Sequence, residues 1–224
     1  MSLSFSLTEA LPVIQECYPY ELEEAYTPTY NIGIYMPGLV ITADEPHLIK
    51  KMHYAMVPFF FKERKSSMCT VRHTQILSKQ LFKKLMVTHK RCLVLADGFY
   101  IWKRFGAEKY PYRFTLKDRK VFSMAGIWSA WIDPISKERY ESFCIVTIPG
   151  HELITSIGKS MPVILTPETE KLWLSKTIEE TELPKLWNTY PSELMTRFQV
   201  TKDIADRSLN DPDLIKPVNN YLPI

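Results

Sequence analysis

The chain has 224 residues, 46% hydrophobic and 24% charged, with a formal net charge of +3. Length and apolar content suit one substantial core, a single domain over residues 1–224, with 183–224 as a proline-bearing tail packed over it. No stretch is long and apolar enough to span a membrane, and the opening MSLSFSLTEA lacks the basic start and apolar run of a secretory signal, so a cytoplasmic protein is expected. Four scattered cysteines without a C-x-x-C pair suggest neither a disulfide framework nor a zinc site, and no histidine spacing suggests a metal. The basic clusters at 62–65, 83–91 and 102–104 are ordinarily solvated surface, and +3 is too small to announce nucleic acid by itself.

In chain order, Thr8 is a good N-cap for a first helix running to about Cys17, with Glu9 and Pro12 in its first turn. YNIGIYMPGLVIT (30–42) predicts two short strands punctuated by Gly33 and Pro37, and HYAMVPFFF (53–61) another apolar strand ending on aromatics. Residues 75–90 place Ile76, Leu77, Leu81, Leu85 and Met86 at helical spacing, with lysines opposite. LVLADGFYIW (93–102) reads as two buried strands joined by a tight Asp97-Gly98 turn with positive φ at Gly98. Segments 110–116, 121–131 and 140–148 continue as antiparallel strands. GHELITSI and TPETEKLWL then read as helices, the second capped by Thr166 with Pro167 at its first position.

Taken together, YNI (30–32), RCLVLADGFYIW (91–102), AGIWSAW (125–131), FCIVT (143–147) and SMPVIL (160–165) resemble the SRAP family, the SOS-response-associated peptidases or abasic-site processing proteins. The order and spacing match across nearly the whole chain. The resemblance implies an α+β fold, a single domain with a mainly antiparallel, barrel-like β core flanked by helices. It also implies a partner, single-stranded or abasic-site DNA, and a chemistry. In that family a cysteine exposed by loss of the first methionine attacks the ring-opened aldehyde of an abasic site with both its α-amine and its thiol, closing a thiazolidine.

The family's catalytic positions fall here on substituted residues. Ser2 stands where the cysteine belongs, and its hydroxyl is a far weaker nucleophile than a thiol. The asparagine of the NAR motif falls on Thr70, the glutamate of FYEW on Ile101, and the histidine of the IH motif on Gly158. Isoleucine transfers no proton, so the chain reads as a diverged member whose cross-linking chemistry is weakened or lost.

Several residues carry expected nucleic-acid contacts beside plainer alternatives. Arg72 retains the family arginine and suits a phosphate contact. Tyr54 and Phe60 stand where relatives carry tryptophans and suit base stacking, with a core role equally good for Tyr54. Asn31 suits the groove or a turn, and Lys159 a phosphate or plain solvent. Trp128 and Trp131 point to opposite faces of a strand, so at least one is core. His73 follows Cys69 by four residues, a spacing that could bring thiol and imidazole together on one helical face. The segment reads as irregular and no acid is placed near them, so such a pair requires the two side chains to meet in a pocket. No cofactor, metal or membrane partner is expected, and the protein is expected to be a monomer. The alternatives are a SRAP-fold pseudoenzyme serving as a protein-interaction module, and an unrelated Cys69–His73 enzyme.

Overall fold

Long β-favouring runs in the middle of the chain dictate the architecture, because each can bury its side chains only against other strands. The computed structural model describes residues 3–218. Its first half runs β1 (Ser4–Leu7), α1 (Leu11–Cys17), β2 (Glu21–Leu22), β3 (Thr29–Ile32), β4 (Pro37–Thr42), β5 (Leu48–Tyr54), β6 (Thr70–Arg72), α2 (His73–Ile76) and α3 (Gln80–Val87). The second half runs β7 (Arg91–Ala96), β8 (Gly98–Phe105), β9 (Glu108–Leu116), β10 (Phe122–Ile132), β11 (Arg139–Pro149), α4 (Glu152–Thr155), β12 (Ser160–Pro162), β13 (Ile164–Leu165), α5 (Pro167–Leu174) and β14 (Met195–Gln199).

One sheet has the order β14-β9-β8-β1-β3 and the other β12-β11-β10-β7-β4-β5-β2. In the second, β5 pairs with β4 on one side and with the start of β11 on the other, so β11-β10-β7-β4-β5 closes into a five-stranded barrel. Most pairing is antiparallel; β5 and β6 run parallel to β11, and β2 parallel to β5. The fold is α+β, a mainly antiparallel, barrel-like core flanked by helices. Phe5, Phe99 and Phe114 of the first sheet share one buried cluster with Val40, Met52 and Phe143 of the second. Each fully buried side chain of this size contributes about 1.5–3 kcal/mol.

Asp97 and Gly98 do not form a hairpin turn. β7 ends in the second sheet and β8 begins in the first, so the pair is a corner between sheets. Among the described glycines only Gly106 has positive φ. Gly98 is required for a different reason: a Cβ there would lie 2.8 Å from Nε of Arg113. That guanidinium donates to Asp97 at 2.9 Å, and both side chains are buried. The Asp97 carboxylate also accepts from the Ser6 hydroxyl (2.6 Å), the Thr8 amide and hydroxyl, and the Glu9 amide. A buried carboxylate persists only with such partners. Thr8 is thereby taken from the helix; α1 starts after Ala10, with Pro12 still in its first turn.

Other expectations shift as well. The strand expected at 53–61 lies earlier, as β5, and Phe59, Phe60 and Phe61 are exposed in the loop that follows. The helix expected over 75–90 is broken into α2 and α3, with the Ser78 hydroxyl donating to the Thr74 carbonyl at the break. Arg91, counted in a basic surface cluster, is buried, donating to the carbonyls of Met86, Trp173 and Ser175. α5 is capped as the sequence indicates, the Thr166 hydroxyl accepting from the Thr169 amide. The segment after residue 183 does more than cover the core: β14 extends the first sheet along β9.

Candidate functional site

The start of β1 is a common neighbour for two of the positions singled out above. Ser4 pairs with Tyr100 and Phe5 with Phe99, a register that continued by one residue sets Leu3 beside Ile101. The Leu3 carbonyl accepts from the Tyr54 hydroxyl at 2.8 Å. Tyr54 is held at the end of β5 with its ring edge-on to Phe5 and tilted against Phe143. Its hydroxyl also faces the Cys69 thiol, and Thr70 follows at the head of β6. Ser2, the position next to Leu3 in sequence, lies outside the described residues.

Thr70 and Gly158 lie on opposite sides of β11 and at different levels, Thr70 opposite Ile145 and Gly158 beyond the Pro149–Ser160 pair. The last residues of β11 are flanked by β6 on one side and β12 on the other, Thr147 pairing with both Arg72 and Pro162. Gly158 lies in the turn entering β12, its amide donating to the Ile154 carbonyl at 2.7 Å. Exposed Arg72 and Lys159 thus line one cavity of about 310 Å³, together with His73, Thr74, Pro149 and Ser160. Thr70, Ile101 and Gly158 do not themselves line it. Among the described residues neither Arg72 nor Lys159 has a carboxylate within 4 Å.

Ile101 is completely buried, as a hydrophobe on β8 facing the core must be. Tyr54 is fully buried too, which corrects its expected role: it cannot stack on a base, and burial raises its hydroxyl well above the usual tyrosine range. Asn31 is likewise corrected. Its amide nitrogen donates to the Ile204 carbonyl and the residue is only 7% exposed, so it anchors the later chain rather than lining a groove. Phe60 is 59% exposed and sits edge-on to both Phe59 and Phe61. Trp128 and Trp131 are both buried, Trp128 under the Lys90 ammonium and Trp131 donating to the Phe61 carbonyl.

Cys69 and His73 bracket an extended strand, not a helix, which separates them by about 13 Å at ~3.3 Å per residue. Burial also pushes the Cys69 thiol up, away from the thiolate that nucleophilic catalysis needs. A Cys69–His73 enzyme is therefore excluded. Among the described residues no group of three or more His, Cys, Asp or Glu side chains is placed to hold a metal ion, and no helix is long and apolar enough to cross a membrane.

Arg207 went unnoticed in the sequence. It reaches over Gly33, where a Cβ would lie 2.7 Å from its Nε, and donates to the Ile34 carbonyl at 3.3 Å. Its charge bears on the Cys69 thiol, placing it near the start of β1. The only signal was a glycine inside a strand-like run, which marks a close approach without saying by what.

The chain is thus an α+β protein built on a five-stranded barrel, with β1 inside the neighbouring sheet and Arg72 and Lys159 at the end of β11. The chain belongs to the SOS response associated peptidase (SRAP) family, which it matches over residues 3–207. It is 34% identical over 199 residues to the Abasic site processing protein YoqW of Bacillus subtilis, covering 87% of this chain and 88% of that one. It is 27% identical to the Abasic site processing protein HMCES of Gallus gallus, covering 90% of this chain and 69% of that one. An X-ray structure of a protein from Bacteroides thetaiotaomicron superposes with a TM-score of 0.87 at 25% identity, over 97% of this chain and all of that one.

Proposed function

We propose that this chain is an abasic-site processing protein that binds single-stranded DNA as a cytoplasmic monomer and whose covalent chemistry is weakened. The observation that carries the reading is the burial of Ile101 at the family's acid-base position, on the strand that pairs with β1. Aldehyde capture requires an amine to form the imine with loss of water, a group to move protons, and a second nucleophile to lock the adduct. Only the amine is common to Ser2 and cysteine. Losing a positioned acid or base costs about 10²- to 10⁴-fold in rate, so an unlocked imine hydrolyses before it accumulates. Arg72, Lys159 and Arg207 support the binding half of the reading, because cations without carboxylate partners are available to phosphates.

The test is incubation of the purified protein with intact and abasic single-stranded oligonucleotides, followed on native and denaturing gels. The expected result is a salt-sensitive native shift with both and no band surviving denaturation; borohydride traps a little Schiff base with the abasic strand. Ser2→Cys restores at most slow cross-linking. Arg72→Ala weakens binding and lowers the slope of log K against log salt by about 0.7, the value for one phosphate contact on a single strand. A denaturation-resistant band formed rapidly by the unmodified protein refutes the weakened chemistry. No native shift even at low salt favours a protein-interaction module, a reading that the exposed Phe59, Phe60 and Phe61 patch also suits.

A further inference from the structure

A second concavity, sharing no lining residue with the Arg72–Lys159 cavity, encloses about 470 Å³ between Tyr35, His53, Arg64, Lys65 and Tyr140. We propose that it is a nucleotide subsite, in which a base stacks on Tyr35 and the adjoining phosphate meets Arg64 and Lys65. The proposal rests on the single-strand-binding reading above and extends it to a place in the fold that the family's catalytic motifs do not reach.

Three features carry it. Tyr35 is 47% exposed yet held in the left-handed backbone region at φ 68, a conformation costly for a bulky residue and one that collects at functional positions. It is fixed at both ends, its amide donating to the Tyr54 carbonyl at 2.8 Å and its hydroxyl accepting from the Ser66 amide at 3.2 Å. An aromatic face is thus offered to solvent in a set orientation, and the loop bearing Arg64 and Lys65 is tied to it.

Tyr140 is occupied otherwise. His53 stacks on it with centroids 4.4 Å apart, and the Arg64 guanidinium lies 4.9 Å from the ring centroid. Tyr140 therefore positions Arg64, and its faces are not free for a ligand. Arg64 has no carboxylate within 4 Å among the described residues, though its charge reaches the Asp133 carboxyl, and Lys65 has only Glu63 at 3.5 Å, an exposed pair of little worth. No acidic residue lines the cavity. Burial and the Arg64 charge push the His53 pKa down, so the cavity's positive charge comes from the arginine and the lysine. An aromatic face, two available cations and a volume in the range of small-ligand sites suit a nucleotide.

The experiment measures binding of a fluorescent, intact single-stranded oligonucleotide by anisotropy across a salt series. It uses the full chain and its Tyr35→Ala, Tyr35→Phe, Arg64→Ala and Arg72→Ala variants, with dAMP as competitor and thermal melting as the control for folding. Loss of one base stack predicts an affinity about 5- to 150-fold lower for Tyr35→Ala, with Tyr35→Phe near the parent because its ring remains. Arg64→Ala is expected to reduce the salt slope by about 0.7. Tyr35→Ala and Arg64→Ala variants that are folded and bind like the parent, while Arg72→Ala is weakened, overturn the subsite and leave the DNA reading intact. A parent chain that ignores the oligonucleotide but binds dAMP through Tyr35 supports a nucleotide subsite and overturns the strand reading; binding of neither overturns both.

Discussion

Restoring the family's glutamate by Ile101→Glu puts the burial of this site to a direct test. Ile101 is wholly inaccessible and pairs across the strands with Tyr112. Removing its apolar side chain forfeits about 1.5–3 kcal/mol, and leaving a buried polar group without a partner costs a further ~1–3 kcal/mol. The expected loss in urea unfolding at neutral pH is about 3–5 kcal/mol, with an unchanged denaturant slope. The pH dependence carries the sharper signature. Burial raises the carboxyl's pKa in the folded state above its unfolded value of about 4.3. The folded variant then binds more protons than the unfolded one, so its stability falls as pH rises between those two values. Below the unfolded pKa both states are protonated and the charge-dependent part of the loss is absent. An Ile101→Glu protein as stable as the parent, with no added pH dependence, would refute the reasoning and mean that the position opens to solvent.

Two further outcomes follow from other contacts. Asp97→Asn leaves the buried Arg113 guanidinium without its counter-charge and is expected to destabilise by about 3–5 kcal/mol; a loss below about 1 kcal/mol by urea unfolding would show that the pair is effectively solvated. Gly33→Ala places a methyl 2.7 Å from Nε of Arg207 and displaces that side chain. It is expected to lower the salt slope of single-strand binding by about 0.7 with little change in melting temperature, and an unaltered slope would remove Arg207 from the DNA contacts.

What the sequence disclosed and what it hid have a common physical origin. Local signals sufficed where local contacts decide. The Thr166 cap with Pro167 fixed the start of α5, and the long apolar runs fixed β10 and β11. They failed where a distant residue outbid them. Thr8 has the chemistry of an N-cap and Asp97-Gly98 that of a tight turn, but both are drawn into one buried carboxylate–guanidinium cluster completed by Arg113. The motif order put Arg72 on β6 and Lys159 in the turn before β12, on either side of β11, whereas the burial of Tyr54 and Asn31 involves Leu3 and Ile204, which no local pattern pairs with them.

The same Asp97 cluster bears on when the protein can fold. Ser6 waits for Asp97, 91 residues on, and for Arg113, 107 residues on. β1 lies between β3 and β8, so one of its two hydrogen-bonded edges is unserved until the chain has grown past residue 100. Closing so long a loop costs entropy before any contact repays it. A growing chain therefore carries its first strand as an open, pairing-competent edge through nearly half of synthesis, and this interval, rather than the finished barrel, is where the protein is most exposed to misassembly.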